Sequence, residues 1–318
     1  MYKSEVLADS ISPDGVRIVT ILAEFPRYIL AEMNTHKLFS RNAASSRAIP
    51  VLRRVADCET DPFVPEAFHA NKPGMSAGDP LEEAAANLAD EVWRNAASLA
   101  CSGARALAEA GVHKQWANRL IEPFSWIKQI ITSTEWDNFR HLRVSPHAQP
   151  EMRKIAAAMM DSIDASTPVL LRPGEWHLPL VRDEDFEEAN SLTLSSDAYW
   201  AILLKLSAGR CARVSYLTHD GRRAPEADIS LHDGLLDNGH MSPFEHQALP
   251  FSAEEVGLVR DVQNLLRNSR PASWTPALLA NVVREAEFRG NFRMWTQYRK
   301  TIPGEFDRLA PPLPGGAE

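Results

Sequence analysis

The feature that most limits what this chain can become is the run from Leu81 to Ala110. In it, Leu81, Ala85, Leu88, Val92, Ala96 and Leu99 recur at three- and four-residue steps, and Gly111 ends the run. That spacing predicts one long amphipathic helix. Further helices are expected at Arg27 to Met33, from Lys114 to Ile131 with a bend or break at Pro123, and from Pro150 to about Ile163. Ser195 to Ala208, Ala253 to Asn268 and Thr275 to Arg289 complete the helical set.

Strands are fewer. Val16 to Leu22 is β-branched and apolar behind the turn signal Ser12-Pro13-Asp14-Gly15, which predicts a strand pair at the opening. Ala212 to Tyr216 reads as another strand, Pro50 to Pro80 as a long surface loop, and Leu170 to Leu180 as a linker. The tail after Pro303 is expected to be loose. Helices and strands do not alternate as in a doubly wound sheet, so the fold class is α+β, a mixed sheet with packed helices.

The 318 residues are enough for a real core, and the 44% hydrophobic and 24% charged fractions are those of a soluble globular protein. A net charge of -8 argues against a general nucleic-acid binder, although one basic pocket for a phosphate remains compatible with it. No signal peptide and no membrane span are expected, and Cys58, Cys101 and Cys211 form neither a disulfide framework nor a metal knuckle. They read as small buried residues in a cytoplasmic protein. His232, His240 and His246 lack zinc spacing, so no metal site is expected. Dinucleotide and P-loop glycine signatures are absent as well.

Chemistry concentrates between Thr35 and Ala48, which holds a histidine, three cationic side chains, three serines, an asparagine and a threonine. Such density suits an anionic ligand, because arginine grips phosphate bidentately. A solvated, capped helix-to-loop junction favours the same residues, and composition alone leaves both readings open.

The motif narrows the choice. His36, Ser40, Asn42, Ser45 and Arg47 match, in register, the R-H-R-x-x-S-x-N-E-x-S-x-R-Y pattern of the flavin-dependent thymidylate synthases, with departures at Thr35, Lys37, Ala43 and Ala48. Three more segments resemble that family: Asn138 to Arg143 with His147-Ala148-Gln149, Arg210 to Ser215, and His240 to His246. Their order is rearranged, since the last two come first in the common arrangement. The resemblance therefore implies a circularly permuted member, a form often encoded by viruses, with the thymidylate synthase-complementing-protein-like fold. Residues 1–318 would form a single catalytic domain. Residues 1–165 would carry the family's C-terminal motifs, 207–302 its N-terminal motifs, and 166–206 the connection.

By resemblance, the chain is a homotetrameric transferase of nucleotide biosynthesis that methylates dUMP to dTMP. FAD is the implied cofactor, with NADPH and methylenetetrahydrofolate as co-substrates. His36, Lys37, Asn138, His147, Ser215, Ser242, Glu245 and His240 would bind cofactor. Ser45, Arg47, Arg119 and Arg143 would hold the nucleotide, with Arg143 and Ser45 as the catalytic pair. Arg143 would stabilise negative charge on the pyrimidine ring as its C5 becomes nucleophilic.

The bland alternatives stay beside these roles. His36 and His147 are also readable as satisfied core histidines, and Glu245 as an ordinary strand carboxylate. Trp274, Trp295 and the run Phe292 to Lys300 fit an amphipathic helix closing the core better than a base-stacking surface. Thr134 falls near another family arginine, and Glu32 stands where the family often has glutamine beside the nucleotide. These departures leave a dCMP or hydroxymethyl variant of the reaction open, as well as a non-enzymatic remnant that only binds flavin or nucleotide.

Overall fold

The computed structural model describes residues 2–74, 76–193, 195–215, 223–268 and 275–305. The opening strand pair is β1 (Lys3–Ile11) and β2 (Arg17–Pro26), antiparallel across the turn at Gly15. A 3-10 turn over Arg27–Ile29 and the single-turn α1 (Leu30–Met33) follow, then β3 (Ser40–Ala43). Next come α2 (Val51–Thr60), α3 (Glu83–Glu109), α4 (Lys114–Ala117), β4 (Trp126–Ser133), α5 (Asp137–Arg143), α6 (Pro150–Ala165) and β5 (Val169–Leu170). The rest of the chain supplies α7 (Asp183–Leu192), α8 (Ser196–Ser215), α9 (Pro225–Asp237), β6 (Ala248–Pro250), α10 (Ala253–Asn268) and α11 (Pro276–Glu287). It closes with β7 (Phe288–Arg289), β8 (Phe292–Arg293) and β9 (Trp295–Gln297).

The main sheet has the order β3-β4-β2-β1-β5, antiparallel except for the β1–β5 pair. A smaller mixed sheet, β6-β9-β7-β8, packs beside it, and the Trp295 indole donates to the Val16 carbonyl at 3.1 Å across the junction. The α+β expectation with mixed sheets and packed helices holds.

Period decides which face of the main sheet is covered by what. Val19, Ile21, Ala23 and Phe25 alternate onto one face of β2 and are buried there. Met152, Ile155, Ala156, Met159, Met160 and Ile163 repeat at helical spacing on α6 and complete that core. The opposite face carries Leu22 and Ile130, which meet Cys211 and Val214 of α8. Gly209 lets α9 close onto α8, because a Cβ there would lie 2.2 Å from the Asp228 carbonyl oxygen. The cysteine reading holds: all three are buried and free.

Four sequence expectations need correction. Lys114 to Ile131 is not one helix: α4 ends after a single turn, and Trp126 to Ser133 is the strand β4 between β2 and β3. Its β-branched residues suit the buried sheet centre, and that environment outweighs local helix propensity. Pro50 to Pro80 is not all loop, since Val51, Val55 and Cys58 bury one face of α2 against Cys101 and Ala104 of α3. Ala212 to Ser215 continues α8 rather than forming a strand, and Arg213 is held there by Asp228 at 2.6 Å. Residues Phe292 to Lys300 do close a core, as expected, but as β8, β9 and a 3-10 turn. Trp274, Tyr216 and residues 306–318 lie outside the described residues.

The Leu81 to Ala110 helix is present, with an inversion. Leu88, Val92 and Leu99 are 62%, 58% and 74% exposed, while the smaller Ala97, Cys101 and Ala104 face the protein. Among the described residues, no helix is long and apolar enough to cross a membrane, and no His/Cys/Asp/Glu group has the form of a metal site.

A buried polar chain crosses the sheet. Ser10 bonds His177 Nδ1 (2.9 Å), His177 Nε2 bonds Thr20 (2.8 Å), Thr20 bonds Thr132 (2.7 Å), and Thr132 bonds His246 Nδ1 (2.8 Å). Burial pushes both His177 and His246 down to about 3 from the ordinary 6.5. Both rings therefore fold as neutral species, and protonation favours the unfolded chain. Their stabilisation is complete above pH 6.5 and drains away as pH falls toward 3. Urea midpoints are expected to be level above pH 6.5 and to fall steadily from 6.5 to 4.5, before most carboxylates titrate. A midpoint that stays level down to pH 4.5 would show that these imidazoles do not titrate with unfolding.

Candidate functional site

The segment from Thr35 to Ala48 leaves α1, runs along β3 at the edge of the main sheet, and turns toward α2. The turn after Met33 places His36 over the aromatic patch of Phe39 and Phe139, with ring centroids 5.4 and 4.9 Å away. The short helix α5 then brings Arg143 onto it. Arg143 Nε donates to His36 Nε2 at 2.9 Å, and Nη2 donates to the Thr35 hydroxyl at 2.9 Å. His36 Nε2 must therefore carry a lone pair. Burial, followed by the positive charges of Arg143 and Arg41, pulls His36 down to about 4. The ring is neutral at physiological pH and acts as an acceptor that aims Arg143.

Arg41 is the residue that sequence reasoning passed over. It lies on β3 close enough to bias His36, and Glu245 in turn acts on Arg41, whose guanidinium burial holds below the usual arginine range. No spacing marks it in the sequence; on β3 it takes the position whose side chain alternates away from the Ser40/Asn42 face. On that other face Asn42 Nδ2 donates to the Cys211 carbonyl at 2.9 Å, and the Ser242 hydroxyl donates to Asn42 Oδ1 at 3.4 Å. Glu245 also pairs with Arg299. The structure thus gathers His36, Thr35, Arg41, Arg143, Asn42, Ser242 and Glu245 at one edge of the sheet.

A second knot forms where β3 ends, roughly 13 Å further along an extended strand. Glu122 accepts from Ser46, pairs with Arg119 at 3.0 Å and pairs with Arg27 at 3.0 Å. Burial alone would raise the Glu122 carboxyl, but Ser46, Arg27 and Arg119 together hold it below the usual range. Asn118 donates to the Ser46 and Ile49 carbonyls at 2.7 and 2.9 Å, which fixes the turn carrying Ser45 and Arg47. Ser45 Oγ accepts from the Arg47 N–H at 3.2 Å, and both side chains reach solvent.

The remaining expected site residues are less engaged. Asn138, His147 and His240 are exposed, with His240 at the end of α9. Lys37 is exposed and, with Leu38, lines a cavity of about 870 Å³ formed chiefly by α10 and α11. Ser215 is the last residue of α8, and its side chain lies outside the described residues. At Thr134 the Arg293 N–H bonds Oγ1 (3.0 Å), while the Arg293 guanidinium is paired with Glu135 (2.6 Å).

Two buried acceptors near His36 have no hydrogen-bond partner, Glu32 Oε2 and Gln129 Oε1. Gln129 Nε2 reaches Asn34 at 3.4 Å, so these groups cluster beside the His36 turn. An unsatisfied buried acceptor is costly, and a ligand bearing N–H groups would relieve it. The polar, neutral-imidazole edge fits a heteroaromatic ring system, and the cationic turn beyond it fits a phosphate.

Among solved structures, the chain is similar to the UMP/dUMP methylase PolB from Streptomyces cacaoi bound with 5-Br dUMP, at 14% identity and TM-score 0.42. The likeness covers 51% of this chain and 89% of that one. The same methylase bound with 5-Br UMP gives 17% identity and TM-score 0.44, covering 51% and 88%. No curated protein matches the chain. The Arg210–Ser215 and His240–His246 segments fall outside the part that a family model reaches. Residues 16–169, which hold the Thr35–Ala48 and Asn138–Gln149 segments, match the family described as thymidylate synthase complementing protein.

Proposed function

We propose that this chain is a cytoplasmic, FAD-dependent one-carbon transferase that makes dTMP from dUMP with methylenetetrahydrofolate and NADPH. The observation that carries the reading is the Arg143–His36 pair, assembled from two matching segments 107 positions apart in sequence. When bound, FAD supplies the redox chemistry that turning the folate carbon into a methyl group requires.

The chain's own residues bind and polarise. His36, Asn42, Ser242 and Glu245 form the flavin-side wall, with Lys37, Asn138, His147, His240 and Ser215 as further cofactor contacts. Ser45, Arg47 and Arg119 take the nucleotide phosphate at the turn fixed by Glu122. Arg143, aimed by its bonds to His36 and Thr35, has Nη1 without a partner among the described residues. That nitrogen is left to meet the negative charge that would develop on a pyrimidine ring bound there. Segments from both halves of the chain meet at Ser242 and Asn42, which supports one catalytic domain with permuted motif order. Homotetrameric assembly belongs to the same reading, and the exposed Leu88, Val92 and Leu99 row is apolar surface of the kind assembly covers.

Full-length protein is expected to bind FAD with a bound-flavin absorption band, and to form dTMP from dUMP, methylenetetrahydrofolate and NADPH. Colourless protein that takes up no added FAD sinks the proposal. One observation favours a second substrate. Glu32 offers a buried, unpartnered carboxylate oxygen where a glutamine is common, and a carboxylate accepts well from the cytosine amino group. Product masses from dUMP and dCMP run in parallel decide between them, and the same masses separate methyl from hydroxymethyl products.

A further inference from the structure

A cavity of about 480 Å³ lies between α2 and the sheet face formed by β2 and β4, at the C-terminal end of α8. Its lining includes Arg53, Arg54, Lys128, Trp126, Leu22 and Val214. None of His36, Arg143, Ser45, Arg47 or Arg119 lines it; of the Thr35–Ala48 segment only Ala44 reaches its wall.

Arg54 sets the chemistry. The residue is 4% exposed, yet its Nε and Nη2 have no hydrogen-bond partner. The Trp126 indole nitrogen, also buried, lacks one too. These are donors only, so both side chains on the cavity wall call for an acceptor. Of the two carboxylates that act on Arg54, Glu122 is already taken by Arg27, Arg119 and Ser46, and Asp57 is exposed to solvent. Burial and the neighbouring Arg27 pull the Arg54 guanidinium below the usual arginine range, which a bound anion would reverse. The acidic lining residues Asp57 and Asp61 are exposed, at the rim, and the partly buried Glu24 faces Lys3 at 3.9 Å. The buried end of the cavity is therefore cationic.

An unpaired buried guanidinium is strongly destabilising unless something compensates it. The volume falls in the range of small-molecule pockets and exceeds what a bare phosphate fills. Leu22, Val214 and the Trp126 ring offer apolar contact to the remainder. We propose that this cavity is a second binding site, one for an organic oxyanion, a phosphate or carboxylate ester or acid with an apolar or aromatic body, gripped by Arg54.

Calorimetric titration of the full-length chain with phenyl phosphate, benzoate and inorganic phosphate tests this. Saturable binding of phenyl phosphate or benzoate is expected, and whichever binds identifies the headgroup. Arg54→Met is expected to weaken that binding by about 10- to 100-fold, through loss of charge-assisted hydrogen bonds. It should also raise the thermal midpoint of the ligand-free protein, since an uncompensated buried charge is gone. Absence of binding for all three probes overturns the site, as does an Arg54→Met protein that binds like the parent. Inorganic phosphate binding as tightly as phenyl phosphate overturns the organic body. Should Arg54→Met not fold, Ala56→Phe replaces it, filling the mouth from an exposed position of α2. Unchanged phenyl phosphate affinity in that variant also overturns the proposal.

Discussion

Arg143→Ala is expected to lower nucleotide-dependent turnover by about 10²- to 10³-fold, the usual loss when one preorganised charge-stabilising donor is removed. The expectation rests on how the guanidinium is held. Its Nε is fixed by a neutral imidazole and its Nη2 by a threonine hydroxyl, neither of which cancels its charge. An ion-paired arginine would have its field spent on the partner. Arg143→Lys keeps the charge without the planar fork and should recover little activity. His36→Ala tests aiming rather than charge, and should weaken turnover less than Arg143→Ala while leaving the guanidinium present. Flavin uptake should persist in Arg143→Ala, so loss of colour together with activity would point to unfolding or a purely structural role. Turnover equal to the parent would remove Arg143 from the chemistry.

The second large effect is on stability. Arg210 is buried at the meeting of α7, α8 and α9, and pairs with Asp185 and, at 2.9 Å, with Asp228. It also donates to the Leu180 carbonyl at 2.8 Å, where the backbone holds a left-handed φ of 64° without a glycine. Burial alone would push the Asp185 carboxyl up, but the Arg210 and Arg223 guanidiniums and the Arg182 N–H outweigh it and hold it at about 2. Arg210→Ala leaves the Asp185 carboxylate buried without its main partner and frees Leu180 from its anchor. A loss of about 3–5 kcal/mol is expected, as for removal of one member of a buried ion cluster. Urea unfolding should show a lower midpoint at unchanged slope. A loss below about 1 kcal/mol would mean the cluster is solvated and dispensable. The pairing also gives the arginine that opens the Arg210–Ser215 segment a structural task, since it fastens α8 to α7 and α9.

The Thr35–Ala48 departures acquire physical meaning in the same way. At Thr35, where the resembled motif has an arginine, the hydroxyl is the acceptor that helps orient Arg143. Arg41 then supplies positive charge near His36 from the adjacent strand, and Arg293 stands at Thr134. Of the two, only Arg41 lends His36 net positive charge, because Arg293 is paired with Glu135.

What the sequence determined alone was local. The repeat of Leu81 to Leu99 gave α3, a β-branched apolar run behind a turn gave β2, and Pro150 at a first turn gave α6, because each is a property of the segment itself. Motif register fixed which side chains to watch, and His36 with Arg143 did meet. What the sequence left open depended on distant partners. Trp126 to Ser133 became a strand because β2 and β3 flank it, and α2 emerged from a proline-rich stretch because α3 offered a face to bury Val55 and Cys58. The long helix was legible, but which side of it faced the protein was not, since Ala97, Cys101 and Ala104 allow a closer approach than Leu88 and Leu99. Arg41 and Arg54 carried no spacing signal that marked them. Only tertiary structure, by burying one beside a histidine and the other without a partner, decided that they matter.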